Sequence, residues 1–141
     1  MRFMIIVKAT RDSEAGVMPP EWLIERMTRY HEELARAGML LNASGLQASG
    51  KGWRITYNGD QASVVDGPFT ESKELIAGYT LIQAKSREEA LAWTRRFPNP
   101  ALDGKRAEIE VRQLFDLDDF GHEAAVERLR LLGVGSQPAA A

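Results

Sequence analysis

The segment Asp66–Glu74, with the sequence DGPFTESKE, constrains the fold of this chain more than any other stretch. The Asp66 carboxylate is expected to accept backbone N–H groups in an Asx-type turn, Gly67 to take a positive φ, and the following proline to fix the next φ. Apolar runs typical of β-strands flank this segment over Ala62–Val65 and Leu75–Ala84. The chain is therefore expected to reverse direction here between two strands.

Apolar periodicity predicts the other elements. The expected strands are Met1–Lys8, Met39–Gln47, Trp53–Tyr57, Ala62–Val65, Leu75–Ala84 and Ile109–Gln113. The first helix is expected to begin after Pro19 and to end at Gly38, and the second to begin at a capping box at Ser86 and to end before Pro98. The segment Asn58–Asp60 predicts a hairpin turn between the third and fourth strands.

Without this hairpin, the order of elements is β-α-β followed by β-α-β, which is the ferredoxin-like pattern. The predicted fold class is therefore α+β, ferredoxin-like, with an inserted β-hairpin. The length of 141 residues indicates one domain, which we place over residues 1–115. Residues 116–133 are expected to form a C-terminal helical extension that docks on the domain or on a dimer partner, and residues 134–141 a disordered tail.

Composition and charge exclude several functional classes. The chain has no cysteine, which rules out disulfides, thiolate nucleophiles and Cys-based metal sites. Its net charge of −2 comes from interspersed acidic and basic residues, so neither nucleic acid nor a membrane is expected as a partner. The first strand begins at Met1 without a basic leader, and no apolar run reaches about 18 residues, so we expect a soluble cytoplasmic protein.

His31 and Asp66 are the candidate catalytic residues. The helical period puts His31 at the edge of the buried stripe of the first helix, where a pocket between helix and sheet would open. The structural alternative, which we favour, is a half-buried histidine bonded to the next strand or to a partner subunit. For Asp66 the favoured alternative is a turn former whose carboxylate is occupied by backbone N–H groups.

Five further side chains are candidates for ligand binding. Arg54, Ser72, Lys73 and Tyr79 carry donors for a carboxylate or enolate ligand, and Trp53 would supply an apolar wall. Neighbours along a strand point to opposite faces, so only one of Trp53 and Arg54 can line a given pocket unless the strand is bulged.

No metal site and no cofactor are expected. The two histidines are far apart in sequence and lack the spacing of a transition-metal site. A Mg²⁺ site from Asp66, Glu71 and Glu74 can be drawn, but solvated turn charges explain these residues more simply. The segment Gly45–Lys51 spells part of a phosphate-binding P-loop, yet Gly52 replaces the required Ser or Thr and a strand pattern follows, so we reject it.

Several segments together resemble the DGPF branch of the YCII-related proteins. They are Met1–Thr10, Glu32–Gly38, Gly45–Gln47, Asp66–Glu74, Ala77–Tyr79 and Glu108–Arg112. The resemblance implies ferredoxin-like domains that pack sheet to sheet as a homodimeric α+β barrel. A homodimer and a small-molecule ligand are therefore the expected partners.

The resemblance also implies a histidine/aspartate pair for acid–base chemistry, as in lyase- or isomerase-like members acting on aromatic or lactone compounds. Compact members carry that histidine about three turns before the glycine that ends the first helix. This chain has Met27 there, and His31 lies one turn later. DGPF-type proteins are also linked to sigma-factor regulation.

Two functions follow from these residues and this resemblance. In the first, the protein is a small-molecule lyase or isomerase in which His31 moves a proton and Asp66 orients the substrate. In the second, it is a non-catalytic module that binds a metabolite or a protein partner, and the DGPF turn serves only to fix the hairpin.

Overall fold

The computed structural model describes residues 1–135, except for the side chain of Ser72. Its strands are β1 (Arg2–Lys8), β2 (Leu40–Gly45), β3 (Trp53–Asn58), β4 (Gln61–Asp66), β5 (Ile76–Gln83) and β6 (Ile109–Gln113). Its α-helices are α1 (Arg11–Glu14), α2 (Glu21–Arg36), α3 (Arg87–Thr94) and α4 (Ala124–Leu131). Of the tail expected over 134–141, residues 136–141 lie outside the described part.

The strands form two separate antiparallel sheets. Within residues 1–135, four of them pair in the order β2-β5-β1-β6, and β3 pairs only with β4. With α2 between β1 and β2 and α3 between β5 and β6, this is the ferredoxin-like arrangement with an inserted hairpin. The predicted α+β class is confirmed.

The core lies between one face of the larger sheet and the two longer helices of the repeat, α2 and α3. Ile5 of β1 and Ile82 of β5 are fully buried against Leu34 of α2, each of the three with 0% exposure. Ala90 of α3 is also buried in this cluster. One apolar face of the central strands is therefore covered by the two helices.

The opposite face of this sheet is apolar too. Met4 lies opposite Leu81, and Ile6 lies opposite Tyr79, in the pairing of β1 with β5. All four side chains are half-buried. We call these residues the open face of the sheet.

Residues Arg11–Glu14 form the short helix α1 between β1 and α2, where the sequence patterns predict a loop and no helix. Thr10 Oγ1 accepts a hydrogen bond from the Ser13 amide at 3.2 Å, and Ser13 Oγ accepts one from the Thr10 amide at 2.8 Å. This is a reciprocal capping box in which serine stands where Glu or Gln is usual. The usual sequence signal for a helix start is therefore missing.

The C-terminal extension begins at the end of the sheet where β1 starts. The Leu114 amide donates to the Arg2 carbonyl at 2.9 Å, and Arg2 Nη2 donates to the Phe115 carbonyl at 2.8 Å. A 3₁₀ turn over Leu117–Phe120 and then α4 follow, where a single short helix was expected. The Leu117 amide donates to the Gly135 carbonyl at 3.1 Å, so the extension folds back on itself.

Among residues 1–135, no helix combines the length and the apolar character needed to span a bilayer.

Candidate functional site

His31 projects from α2 towards the helix-covered face of the sheet. Its Nδ1 lies 2.6 Å from the Met27 carbonyl oxygen, and its Nε2 lies 2.8 Å from Thr80 Oγ1. A carbonyl oxygen only accepts, so Nδ1 is the donor of the first hydrogen bond, and Nε2 forms the second with the Thr80 hydroxyl. Thr80 is buried at 2% exposure. Both ring nitrogens are thus occupied by groups of the protein.

The space beside the imidazole is filled by aromatic rings. The ring centroids of Tyr30 and Phe97 lie 5.7 and 6.2 Å from that of His31, both in edge-on geometry. The Tyr30 hydroxyl donates to the Trp93 carbonyl at 2.8 Å, and burial raises the pKa of Tyr30 to about 12. The imidazole is therefore part of a packed layer between α2, α3 and the sheet.

The signature loop, residues 66–74, contacts the 3₁₀ turn Ser49–Lys51 that precedes β3. Gly67 does not have the predicted positive φ, so that expectation is wrong. Glycine is required here by close approach instead, because a Cβ at Gly67 would lie 1.9 Å from the Ser49 carbonyl oxygen. The Gly67 amide also donates to the Gly52 carbonyl at 3.0 Å.

Ser49 links the signature loop to α1. Its Oγ accepts a hydrogen bond from the Phe69 amide at 3.0 Å and lies 2.5 Å from Glu14 Oε2, to which it donates. The Ser49 amide donates to the other Glu14 oxygen at 3.1 Å. Sequence reasoning missed this pair, since the two residues are separated by 35 positions and no motif joins them. The loop is therefore fixed by a carboxylate–hydroxyl–amide chain.

The turn Ser49–Lys51 is followed by a strand and not by a helix, which confirms the rejection of a P-loop. Phe69 of the signature loop packs instead under Arg54 of β3, with the guanidinium carbon 3.8 Å from the ring centroid. Stacking of this kind is a cation–π contact. It holds Arg54 against the loop.

The Asp66 carboxylate does not behave as predicted. Among the described residues it makes no hydrogen bond and no ion pair, so the expected capping of backbone N–H groups is wrong. Asp66 ends β4 and lies directly opposite Trp53 in the hairpin. It therefore stands exposed beside an exposed indole, which is 64% accessible.

The other candidate residues do not meet in one pocket. Trp53 and Arg54 lie on opposite faces of the hairpin, because Trp53 pairs with Asp66 and Arg54 pairs with Val65. Tyr79 precedes Thr80 on β5 and so lies on the open face, across the sheet from His31. The side chain of Ser72 lies outside the described part of the chain.

The surface has shallow depressions, of which one borders the signature loop and another follows α3. The first, of about 390 Å³, is lined by Thr70, Glu71, Lys73 and Glu74 of the signature loop. The second, of about 360 Å³, lies after α3 and includes Phe97, Pro98 and Ile109. His31 lines neither of them. Within residues 1–135, no three His, Asp or Glu side chains are grouped so that they could hold a metal ion.

The family of this chain follows from its sequence. The YCII-related domain matches residues 1–116, which span the ferredoxin-like unit and the signature loop. The chain therefore belongs to the YCII-related family.

Known proteins similar to this chain include one relative and one solved structure. An uncharacterized protein of Rhizobium meliloti (strain 1021) is 28% identical over 94 residues, which cover 67% of this chain and 74% of that protein. The structure of 5-chloro-2-hydroxyhydroquinone dehydrochlorinase (TftG) from Burkholderia phenoliruptrix AC1100, in complex with 2,5-dihydroxybenzoquinone, is 13% identical. It aligns with a TM-score of 0.42 over 82% of this chain and 95% of that one.

Proposed function

We propose that this protein is a non-catalytic binding module that works as a homodimer. The observation that carries the proposal is the bonding of His31, whose Nδ1 and Nε2 are 2.6 and 2.8 Å from groups of the protein itself. A general acid or base must reach the proton that it transfers, within about 3.2 Å or through one water. His31 in this arrangement joins α2 to β5 and presents no free nitrogen to a ligand.

The ligand contact of the module is assigned to the polar side of the hairpin and to the signature loop. Lys73, which lines the depression of about 390 Å³, and Arg54, which stacks on Phe69 of the same loop, would each supply a cationic donor for a carboxylate at this side of the molecule. Arg54 is held in place by its stacking on Phe69, 3.8 Å from the ring centroid. Trp53 and Tyr79 lie on other surfaces and are available to a partner subunit.

The homodimer is supported by apolar surface that the described part of the chain does not cover. Trp53, Tyr57 and Val64 share one hairpin face and are 64%, 74% and 66% exposed. An isolated two-stranded hairpin is marginally stable in water, so cover from a second subunit would stabilise it. The open face of the sheet would pack on its counterpart to form the α+β barrel.

A lyase- or isomerase-like enzyme is the second candidate function. It is favoured by Asp66, whose carboxylate is exposed and makes no bond among the described residues. In this alternative Asp66 orients a small aromatic, lactone or carboxylate metabolite, and His31 exchanges its proton after the bond to Thr80 has opened.

We also assign the chain to the DGPF branch of the family, on the basis of Asp66–Glu74. A regulatory role linked to sigma factors is then one form of the module. The absence of cysteine suits a reducing compartment, and we place the protein in the cytoplasm.

A thermal-shift screen against catechol-, lactone- and dicarboxylate-type compounds tests the proposal. A ligand at 100 times its Kd adds about 2.7 kcal/mol to the free energy of unfolding. The module predicts a hit that survives His31→Gln and is lost in Arg54→Ala. A hit that is converted to product and lost in both His31→Gln and Asp66→Asn, with each variant folded, would contradict the module and establish the enzyme.

A further inference from the structure

One face of the hairpin places an acidic side chain in an apolar surface. This hairpin face consists of Trp53, Ile55, Tyr57, Ala62, Val64 and Asp66, which pair across β3 and β4, and its larger apolar members are the first three and Val64. These larger apolar members are between 46% and 74% exposed. Within residues 1–135, the Asp66 carboxylate has no cationic partner. An apolar partner with one basic side chain would match this face.

The chain itself carries such a surface on α4. Arg128, Leu131 and Leu132 are three and four positions apart and therefore share one side of the helix, opposite the buried Val126. Leu131 is 86% and Leu132 is 73% exposed. Arg128 forms no ion pair with any described residue, whereas its neighbour Arg130 bonds to Asp118 at 2.8 Å. We call these three residues the outer face of α4.

The two faces lie at opposite ends of the four-stranded sheet. The hairpin is inserted between Gly45 and Ile76, beside the Lys8 end of β1. The C-terminal extension is tied to the other end of β1, through the bond from Arg2 to Phe115. The seven residues of β1 span about 20 Å at about 3.3 Å per residue.

Resting on the homodimer proposed above, we propose that the hairpin face of one subunit packs on the outer face of α4 of a second copy, with Asp66 paired to Arg128. Two sheets that pack face to face can be related by a two-fold axis along or across the strands. An axis across the strands brings opposite ends together, and it makes each contact twice. The proposed contact therefore requires the barrel whose two-fold axis runs across the strands and excludes the one whose axis runs along them.

Charge reversal tests the pairing. Asp66→Arg and Arg128→Asp should each raise the dimer Kd about tenfold, since like charges then meet across the contact. The double variant should restore the Kd to within about threefold, as a double-mutant cycle of a direct pair requires. Glu32→Arg reverses the same charge on the exposed surface of α2 and should leave the Kd unchanged. The Kd is measured by sedimentation.

Cross-linking tests the orientation, and the chain offers a cysteine-free background. A mixture of Asp66→Cys and Arg128→Cys chains should form a disulfide-linked heterodimer on mild oxidation, and neither variant alone should cross-link. Cross-linking of Asp66→Cys with itself would overturn the proposal, because the hairpins would then face each other. If the dimer Kd is unchanged by both charge reversals, this contact is wrong but the homodimer is still supported. A monomeric wild-type chain would overturn both.

Discussion

The helix-covered face of the sheet and the inserted hairpin are built from similar strand sequences but are covered differently. Ile5 and Ile82 on the first are 0% exposed, whereas Trp53 and Tyr57 on the second are 64% and 74% exposed. In both regions apolar residues recur at every second position of the face concerned, which is the pattern of a β-strand with a face to be covered. The comparison teaches that an apolar pattern identifies the strand face that must be buried. It does not identify the element, or the subunit, that buries this face.

The largest expected effect comes from a matched pair of leucines. Leu34→Ala removes a side chain with 0% exposure, which should lower the free energy of unfolding by about 2–5 kcal/mol through lost burial and a cavity. Leu131→Ala removes the same group at 86% exposure and should change it by less than about 0.5 kcal/mol when the protein is dilute. Urea denaturation measures both. Equal losses of unfolding free energy in the two variants would contradict the difference in burial between the core and the exposed surface.

The covered region should also be sensitive to alkaline pH through Tyr30. Its folded pKa is about 12, against an ordinary value of 10.0, because burial disfavours the phenolate. Between these values the unfolded chain has lost the phenolic proton and the folded chain keeps it, so stability is full below pH 10 and falls as the pH rises towards 12.

At about 1.4 kcal/mol per pKa unit, the loss amounts to about 2–3 kcal/mol. Chemical denaturation of wild type and Tyr30→Phe across this pH range measures the loss. The decrease in the free energy of unfolding with pH that is due to Tyr30 should be absent in the variant. Tyr57→Phe, measured on protein dilute enough to be monomeric, is the exposed control. A slope that persists unchanged in Tyr30→Phe would contradict the role given to burial.

At the base of the hairpin, Gly67→Ala should destabilise by about 1–3 kcal/mol through overpacking. The new Cβ would lie 1.9 Å from the Ser49 carbonyl oxygen, so the loop must move. Gly50→Ala is the matched control in the same loop cluster, since its Cβ would meet Pro68 at an ordinary 3.9 Å. Amide chemical shifts of residues 49–54 should change in the first variant and stay in place in the second. A loop that accepts both substitutions equally would refute the packing described.

A smaller effect is expected from Ser49→Ala, which leaves the Phe69 amide and Glu14 without their shared partner. Loss of a partly exposed hydrogen-bonded group of this kind costs about 1 kcal/mol. Ser63→Ala, on the exposed polar side of β4, should cost less than about 0.5 kcal/mol. Thermal unfolding of the two variants measures the difference. The opposite ranking would mean that the carboxylate–hydroxyl–amide chain does not hold the loop.

Much of the fold can be predicted from the sequence because it depends on local signals. The buried stripe of α2 places His31 at its edge, and the structure finds that residue half-buried and bonded to β5. The Ser86 cap of α3 likewise depends on a contact only three residues long. Apolar periodicity and capping residues are thus sufficient to predict both helices and the order of the strands along the chain.

What the sequence does not predict depends on contacts between distant segments. Gly67 needs no special φ; its constraint comes from the backbone at Ser49, which is remote in sequence. Within the described part of the chain the Asp66 carboxylate has no partner, because other groups bind the loop in its place. A turn motif specifies its own residues but not the surface on which it rests.

Native-state hydrogen exchange at two protein concentrations tests the central claim most directly, namely that α2 and α3 cover the sheet while a second copy covers the hairpin. Amides of β1 and β5 should exchange slowly at both concentrations, because their protection comes from within the chain. Amides of β3 and β4 should exchange more slowly at the higher concentration, since association stabilises only the bound form. Protection of the hairpin that is independent of concentration, at concentrations well below and well above the measured dimer Kd, would contradict the account.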